Sequence, residues 1–331
     1  MSHRSEFDLI AQFFTHPSQR CDVALGVGDD CALLHPPAGS VLAVTVDTLV
    51  AGVHFPEDAY PADIGWKALA VNLSDLAAMG AKPAWITLAL TLPVADPAWL
   101  APFAQGLMAL AKCHDVALVG GDTTRGPLAI TIQALGFCPA GKALRRSGAQ
   151  PGDGIYVTGT LGDGALGLAV HQGRMMVTDP SQRAYLLQRL HRPEPRLQAG
   201  QALRGIASAA IDISDGLVAD LGHILQASGV GGGLYVSQLP RYLLTTSTLT
   251  ESQWLNLILG GGDDYQLCFT VPSEKIDELN LVDLGITYHR IGTVEKELGL
   301  RWQGLPDSMI AEKLASGWEI LRSAITGYQH F

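Results

Sequence analysis

The sequence has few positive charges and no long apolar run, and both absences narrow the possible functions. It contains 22 Lys and Arg against 32 Asp and Glu, so the formal net charge is −10. This balance argues against nucleic acid or an anionic membrane as a partner. No run of about 20 apolar residues predicts a membrane span. Charged residues at the N-terminus replace the apolar run that a signal peptide needs, so we expect a soluble, cytoplasmic protein.

Three common kinds of site are also missing. The five cysteines are scattered without a CxxC pair, which argues against a disulfide framework. Without a cluster of His and Cys, zinc is a poor candidate. The sequence contains neither a P-loop, GxxxxGK followed by Ser or Thr, nor the motif set of protein kinases. Any nucleotide site must therefore be built in another way.

The length and the order of predicted elements indicate two domains. A chain of 331 residues is long for one average domain and suits two. Predicted strands and helices alternate in both halves, which is typical of the α/β or α+β class. Residues 147–153, SGAQPGD, form the most turn-rich segment. We therefore predict an N-terminal domain over 1–148 and a C-terminal domain over 149–331.

Aspartates recur beside the ends of predicted strands, most of them next to glycine. They are Asp30, Asp47, Asp122, Asp212, Asp215, Asp263 and Asp264. Each one alone fits a turn or a helix cap. Together they predict a pocket of converging carboxylates, which would repel one another unless divalent cations neutralised them. Mg²⁺ suits oxygen ligands and completes its shell with water and phosphate, so the expected ligand is a polyphosphate.

Two further segments fit such a site. Asp75 interrupts an apolar helical run, either as a surface residue or as a metal ligand, with Asn72 one turn earlier on the same face. The segment GTLGDG at 159–164 joins a predicted strand to a helix. This arrangement can direct backbone N–H groups at a phosphate, although a plain tight turn explains it equally well.

Some single residues allow both a binding role and a structural one. Either Arg145 or Arg146 could hold a phosphate of ATP through paired hydrogen bonds, or both could be solvated surface residues. His54 follows the predicted strand that ends at Asp47, yet a lone histidine is more often structural. Tyr328 could stack on an aromatic ring of the substrate or could simply pack against the protein.

Seven motifs in this order resemble those of thiamine-monophosphate kinases. They are GVGDD (26–30), TVD (45–47), NLSDLAAMG (72–80), GGDT (120–123), RSGA with PGD (146–149 and 151–153), DISDGL (212–217) and GGDDY (261–265). The resemblance implies the fold of aminoimidazole ribonucleotide synthetase and selenophosphate synthetase. In that fold an N-terminal α/β domain dimerises through its sheet, and a C-terminal α/β domain helps to enclose the nucleotide.

The resemblance also implies roles for individual residues. The positions that match Mg²⁺ ligands are Asp30, Thr45, Asp47, Asp75, Asp122, Asp212 and Asp215. The positions that match ATP contacts are Gly121, Asp122, Arg146 and Ser214. The positions that match substrate contacts are His54, Asp263 and Tyr328. In two places the chain departs from the usual GGEDYEL, with Asp263 and Gln266 in place of glutamates.

The implied activity is direct in-line transfer of the γ-phosphoryl group of ATP to thiamine monophosphate, with several Mg²⁺ ions, in a homodimer. The acceptor phosphate is already an anion, so no catalytic general base is expected. Another ATP-using synthetase of the same superfamily is the first alternative. A non-catalytic protein that binds metal and nucleotide is the second.

Overall fold

The computed structural model describes residues 10–15, 20–242, 244 and 249–304 of the chain. Two compact units are present: Met1–Leu76 with Ala81–Gly141, and Ala77–Gly80 with Lys142–Phe331. The longer part of the second unit begins at Lys142. The turn-rich segment 147–153, where the sequence predicts the domain boundary, begins a few residues later. The domain limits of 1–148 and 149–331 stay a prediction.

The described part of the first unit contains two long helices and two sheets, of two and four strands. Its described helices are a π-helical turn at Ile10–Phe14, α1 at Pro61–Ala78 and α2 at Pro97–Cys113. Its described strands are β1 (Val23–Leu25), β2 (Leu33–Leu34), β3 (Ser40–Val50), β4 (Lys82–Leu92), β5 (Ala117–Arg125) and β6 (Ala129–Pro139). Helix α2 begins where the Asp96 side chain accepts the Ala98 N–H at 2.9 Å, with proline in the first turn.

The larger sheet of this unit has the strand order β3-β6-β4-β5, and only β4 and β5 are parallel. Alternate residues of a strand face opposite sides of a sheet. Leu49 of β3 is buried beside Ile130 of β6, its partner in register. Val44 and Val46 lie on the other side of β3 and are 52% and 56% exposed. The second face of β3 is therefore apolar and uncovered in this chain.

The second unit is built on one mixed sheet with helices. Its described strands are β7 (Gly154–Thr158), β8 (Ala209–Asp212), β9 (Gly231–Tyr235), β10 (Leu267–Val271), β11 (Tyr288–Glu295) and β12 (Gly299–Gln303). Its described α-helices are α3 (Asp163–His171), α4 (Pro180–His191), α5 (Leu197–Ala202), α6 (Leu217–Ser228), α7 (Glu251–Gly260) and α8 (Ile276–Leu281). The strand order is β12-β9-β11-β7-β10-β8, and only β12 and β9 are parallel.

The predicted mixed α/β class is confirmed, and the predominance of antiparallel pairs places both sheets on the α+β side of that class. The core of the second unit is one apolar cluster that includes Ile155, Leu217 and Ile258. Two strands extend beyond their predicted ends, so Asp47 and Asp122 lie inside β3 and β5. Among the described residues, no helix has the length and apolarity that crossing a membrane requires.

Candidate active site

The first unit brings three predicted metal ligands together. Thr45 and Asp47 lie on the same face of β3, two residues apart, and the Thr45 hydroxyl donates a hydrogen bond to a carboxylate oxygen of Asp75 on α1. Burial, and after it the charge of the nearby Asp75 carboxylate, raise the pKa of Asp47 to about 6. Two like charges in a half-buried place repel each other, and a cation between them would remove that penalty.

Asn72 adds a second observation at this place. It lies one helical turn before Asp75 and is fully buried, and its side-chain N–H donates to the Ala68 carbonyl at 3.1 Å. Within the described residues, its side-chain oxygen has no hydrogen-bond partner. A buried acceptor without a donor is costly, and a water molecule or a cation would satisfy it. The donor set here is thus hard oxygen, which suits Mg²⁺.

Asp30 and Asp122 lie elsewhere in the first unit. Both are exposed, Asp30 in the glycine-rich turn after β1 and Asp122 in register with Ala89 of β4. Among the residues that the structure describes, no three acidic, histidine or cysteine side chains form a group that could hold a metal ion. Within the first unit, the structure brings together Thr45, Asp47 and Asp75.

Gly121 directly precedes Asp122, and the fold leaves no space for a side chain at this position. Its φ is +154°, and a Cβ atom placed there would lie 1.9 Å from the Leu88 carbonyl oxygen of β4. This contact is far shorter than any real Cβ contact, so only glycine fits without moving the strand. The register of β5, and with it the position of Asp122, depends on this glycine.

His54 follows β3 in the first unit. Its Nδ1 accepts the Val50 N–H at 3.0 Å, so the ring is oriented by the backbone of the strand it follows. Arg146 is exposed in the second unit, and its carbonyl oxygen accepts the Ser228 hydroxyl at 3.4 Å. Tyr328 lies outside the described residues.

In the second unit, the predicted ligands occupy a loop that one aspartate holds in shape. Asp212 ends β8, and Ser214 and Asp215 follow it. One carboxylate oxygen of Asp220 accepts the N–H groups of Ser214, Asp215 and Gly216 at 3.1, 3.0 and 3.1 Å. Burial raises the pKa of Asp220 to about 7, although these N–H groups oppose the shift.

Asp263 lies against the same loop. Its N–H donates to the Ser214 carbonyl at 2.9 Å, and the Tyr265 N–H donates to the Ile213 carbonyl at 2.8 Å. The Tyr265 hydroxyl donates to the Asp263 carboxylate at 2.9 Å. Asp263 and Tyr265 have φ values of +66° and +49°, which are strained for residues with side chains. Such strain is concentrated at functional sites and ligand clamps.

The glycine-rich turn at 159–164 has its own internal anion. The Gly162 and Gly164 N–H groups donate to the two carboxylate oxygens of Asp264 at 2.7 and 3.1 Å. Asp264 is fully buried, and burial, together with the neighbouring Asp163, raises its pKa to about 7. These N–H groups at the start of α3 are therefore bonded to the protein itself, which agrees with the tight turn and not with a phosphate loop.

Sequence reasoning missed the part that Asp220 plays and placed Asp264 only among the possible ligands. Both are buried and act as anchors for backbone N–H groups. Asp220 occupies a mainly apolar helix, LVADLGHIL, four residues after the glycine of DISDG. An isolated carboxylate one turn into a helix, after a glycine loop, is the signal that could have identified it.

Comparison with known proteins shows which family this chain is similar to. Residues 28–138 match the AIR synthase related protein N-terminal domain, and residues 150–303 match the corresponding C-terminal domain. The thiamine-monophosphate kinase of Salmonella typhimurium is 51% identical, over 98% of both chains.

Two solved structures are also similar. The crystal structure of thiamine-monophosphate kinase from Stenotrophomonas maltophilia is 48% identical, with a TM-score of 0.81 over 86% of this chain and 92% of that one. A structure described as AaThiL complexed with AMPPCP and TMP is 30% identical, with a TM-score of 0.73 over 89% of each chain. Identity and coverage of this extent, together with both matched domains, show that the chain belongs to the thiamine-monophosphate kinase family of AIR-synthase-related proteins.

Proposed function

We propose that this protein transfers the γ-phosphoryl group of ATP to the phosphate of thiamine monophosphate, giving thiamine diphosphate and ADP. The observation that carries the proposal is the end-to-end match to relatives named for this activity, at 51% and 50% identity over 98% of the chain. The similar AaThiL structure was solved with AMPPCP and TMP, a triphosphate nucleotide analogue and a candidate acceptor.

Mg²⁺ is the proposed metal. Its ligands in the first unit would be Asp30, Thr45, Asp47, Asp75 and Asp122, and in the second unit Asp212 and Asp215. Within the part of the chain that the structure describes, the Asn72 side-chain oxygen has no hydrogen-bond partner, and this, with the raised pKa of Asp47, supports a cation beside Asp75. When bound, Mg²⁺ would supply charge neutralisation for the triphosphate and for the acceptor, which otherwise repel each other.

The residues of each unit would then hold the reactants. For ATP, the proposed contacts are Gly121 and Asp122 in the first unit and Arg146 and Ser214 in the second. For the acceptor, they are His54 in the first unit and Asp263 and Tyr328 in the second. Because the acceptor phosphate is an anion before it reacts, these residues need only position and screen the reactants, without a general base.

Several hydrogen bonds in the chain support such positioning. Thr45 fixes one oxygen of Asp75, and Tyr265 fixes one oxygen of Asp263. The Asp220 carboxylate accepts hydrogen bonds from the backbone N–H groups of Ser214 and Asp215 and so fixes this part of the loop. Groups that are held before the reactants arrive need no reorganisation during the reaction, which is the main source of electrostatic catalysis.

We also infer a cytoplasmic homodimer. The apolar second face of β3, with Val44 and Val46 more than half exposed, supports pairing through this sheet. A face of this kind is unfavourable in water and is typical of an interface between subunits.

The test is an assay of ADP release with thiamine monophosphate, with thiamine, or with no acceptor. We expect turnover only with thiamine monophosphate and added Mg²⁺. Asp122→Asn should fold normally, since Asp122 is exposed, and should reduce kcat by about 10²-fold or more. Asp277→Asn, at an exposed aspartate outside the predicted site, is the matched control and should retain full activity. Turnover with thiamine but not with its phosphate would show that the proposed acceptor is wrong.

A further inference from the structure

The hydroxyl of Ser228 joins the end of helix α6 to the segment that carries Arg146. Its oxygen accepts the N–H groups of Gly148 and Ala149 at 3.1 and 3.2 Å. The hydroxyl itself donates to the Arg146 carbonyl oxygen at 3.4 Å, which is a long and weak contact. A serine hydroxyl has one proton and two lone pairs, so these three contacts use its whole hydrogen-bonding capacity. One side chain thus links a carbonyl to the N–H groups two and three residues later, and holds the backbone there in a turn.

The start of strand β8 contacts the same segment. The Arg145 carbonyl accepts the Ala210 N–H at 2.8 Å. Gly148 has a φ of +126°, and a Cβ atom placed there would lie 2.4 Å from the Ser208 carbonyl oxygen. The backbone of this segment is therefore held by both α6 and β8, whereas the side chains of Arg145 and Arg146 are exposed.

The end of helix α6 does not depend on the Ser228 hydroxyl. The helix ends at Gly229, whose φ is +67° and whose N–H donates to the Gln226 carbonyl at 3.2 Å. Glycine in this left-handed conformation is a common way to end a helix. Gly148 is exposed and Ser228 is only partly buried, so water can replace part of the lost hydrogen bonding when the hydroxyl is removed. We therefore expect Ser228→Ala to fold, which allows positioning to be measured apart from stability.

The same helix also holds Ser214, the second ATP contact proposed in this unit. Near the start of the helix, the Asp220 carboxylate accepts the Ser214 N–H at 3.1 Å. Asp220 and Ser228 both belong to α6, and at about 1.5 Å of rise per residue they lie about 12 Å apart along its axis. One helix therefore sets the separation between the backbone of Ser214 and the backbone of Arg146.

A long arginine side chain benefits from a fixed backbone. It loses freedom when it binds a phosphate, and that cost is smaller when the backbone that carries it is already ordered. The fork of guanidinium donors also binds phosphate oxygens in a defined direction, so it has to be aimed. We propose that Ser228 is a positioning residue for the nucleotide, because its hydroxyl holds the backbone of Arg146 so that the guanidinium meets the triphosphate in a set direction. This role rests on the proposed function, in which Arg146 contacts ATP.

The test is calorimetric titration of AMPPCP, with Mg²⁺, into the full chain, together with steady-state measurement of ADP release. The variants are Ser228→Ala, Arg146→Gln and the two combined. Ser181→Ala is the matched control, because Ser181 is exposed, its hydroxyl donates to the Asp179 carboxylate, and it lies outside the proposed site. Circular dichroism records whether each variant is folded.

We expect Ser228→Ala to weaken AMPPCP binding about fivefold and to raise KM for ATP by a similar factor. Its kcat and its KM for thiamine monophosphate should stay within about twofold, because only nucleotide binding is disturbed. Arg146→Gln should weaken AMPPCP binding about tenfold or more. Adding Ser228→Ala to Arg146→Gln should cause little further loss, because Ser228 acts through Arg146. Ser181→Ala should bind AMPPCP as the unmodified chain does.

Several results would overturn this role. One is unchanged AMPPCP binding in Ser228→Ala or in Arg146→Gln, and another is no binding by the unmodified chain. A full loss that persists in the Arg146→Gln background, an equal rise in KM for thiamine monophosphate, an equal loss in Ser181→Ala, or an unfolded Ser228→Ala would each indicate a role other than positioning Arg146. If AMPPCP binding follows the expected pattern but thiamine monophosphate causes no ADP release, the proposed acceptor is wrong and the role of Ser228 stands.

Discussion

Asp220 is the residue on which the shape of the Ser214 loop depends, so its removal should have a large and measurable effect. One carboxylate oxygen accepts three backbone N–H groups, at 3.0 to 3.1 Å. Each lost hydrogen bond costs about 1 kcal/mol. Asp220→Ala should therefore lower the free energy of unfolding by about 3 kcal/mol at pH 5, where the aspartate is largely protonated.

For a unit of this size, about 1 kcal/mol corresponds to about 2–4 °C in Tm. We thus expect Asp220→Ala to melt about 6–12 °C lower, followed by circular dichroism. Asp277→Ala is the matched control, because Asp277 is exposed in the first turn of α8, and it should cost less than about 1 kcal/mol. If the two variants melted together, another group would be holding the loop.

The raised pKa of Asp220 predicts a pH dependence whose sign can be worked out. The folded pKa of about 7 lies above the ordinary value of 3.8, so between these pH values the folded chain keeps a proton that the unfolded chain releases. Stability therefore falls as pH rises through this window and levels off above it. Asp220→Asn removes this contribution and keeps an acceptor oxygen.

The stability of Asp220→Asn relative to the unmodified chain should rise by about 2 kcal/mol between pH 5 and pH 8. Other titrating groups, such as Asp264, are present in both proteins and cancel in the difference. A difference that stays flat across this range would refute the assigned pKa shift.

Three other changes have defined outcomes. Asp75→Asn should lower the pKa of Asp47, measured by NMR, because one of the two causes of its rise is removed, and should abolish any Mg²⁺-dependent increase in Tm. Gly121→Ala should lose more than about 2 kcal/mol in a denaturant titration, because its Cβ would lie 1.9 Å from the Leu88 carbonyl oxygen. Val46→Lys should shift the protein from dimer to monomer in sedimentation, if the open face of β3 is the interface.

The elements that the sequence predicts well are those with strong local signals. Helix α2, Pro97–Cys113, carries such signals, because proline opens it and an apolar face runs along it. The strand β9, Gly231–Tyr235, is not predicted, since three of its residues are glycine and carry no β preference. It forms because β11 and β12 pair with it on both sides, and such pairing is not visible locally.

Contacts between residues far apart in the chain also limit what the sequence predicts about the candidate site. The sequence identifies Thr45, Asp47 and Asp75 as possible partners, and the hydrogen bond between Thr45 and Asp75 joins residues 30 positions apart. The sequence does not show which backbone N–H groups Asp220 and Asp264 accept, because those contacts exist only in the folded chain, where both carboxylates are buried.

Asp220 and Asp264 have one thing in common that bears on how the second unit works. Each accepts backbone N–H groups from a glycine-containing loop that precedes a helix, the place where phosphate is often bound in other proteins. Here the protein supplies the anion itself, so both loops are shaped before any ligand arrives. The nearby residues Ser214 and Asp263 can therefore be presented to a ligand without the cost of ordering the loop, which is the advantage of preorganisation.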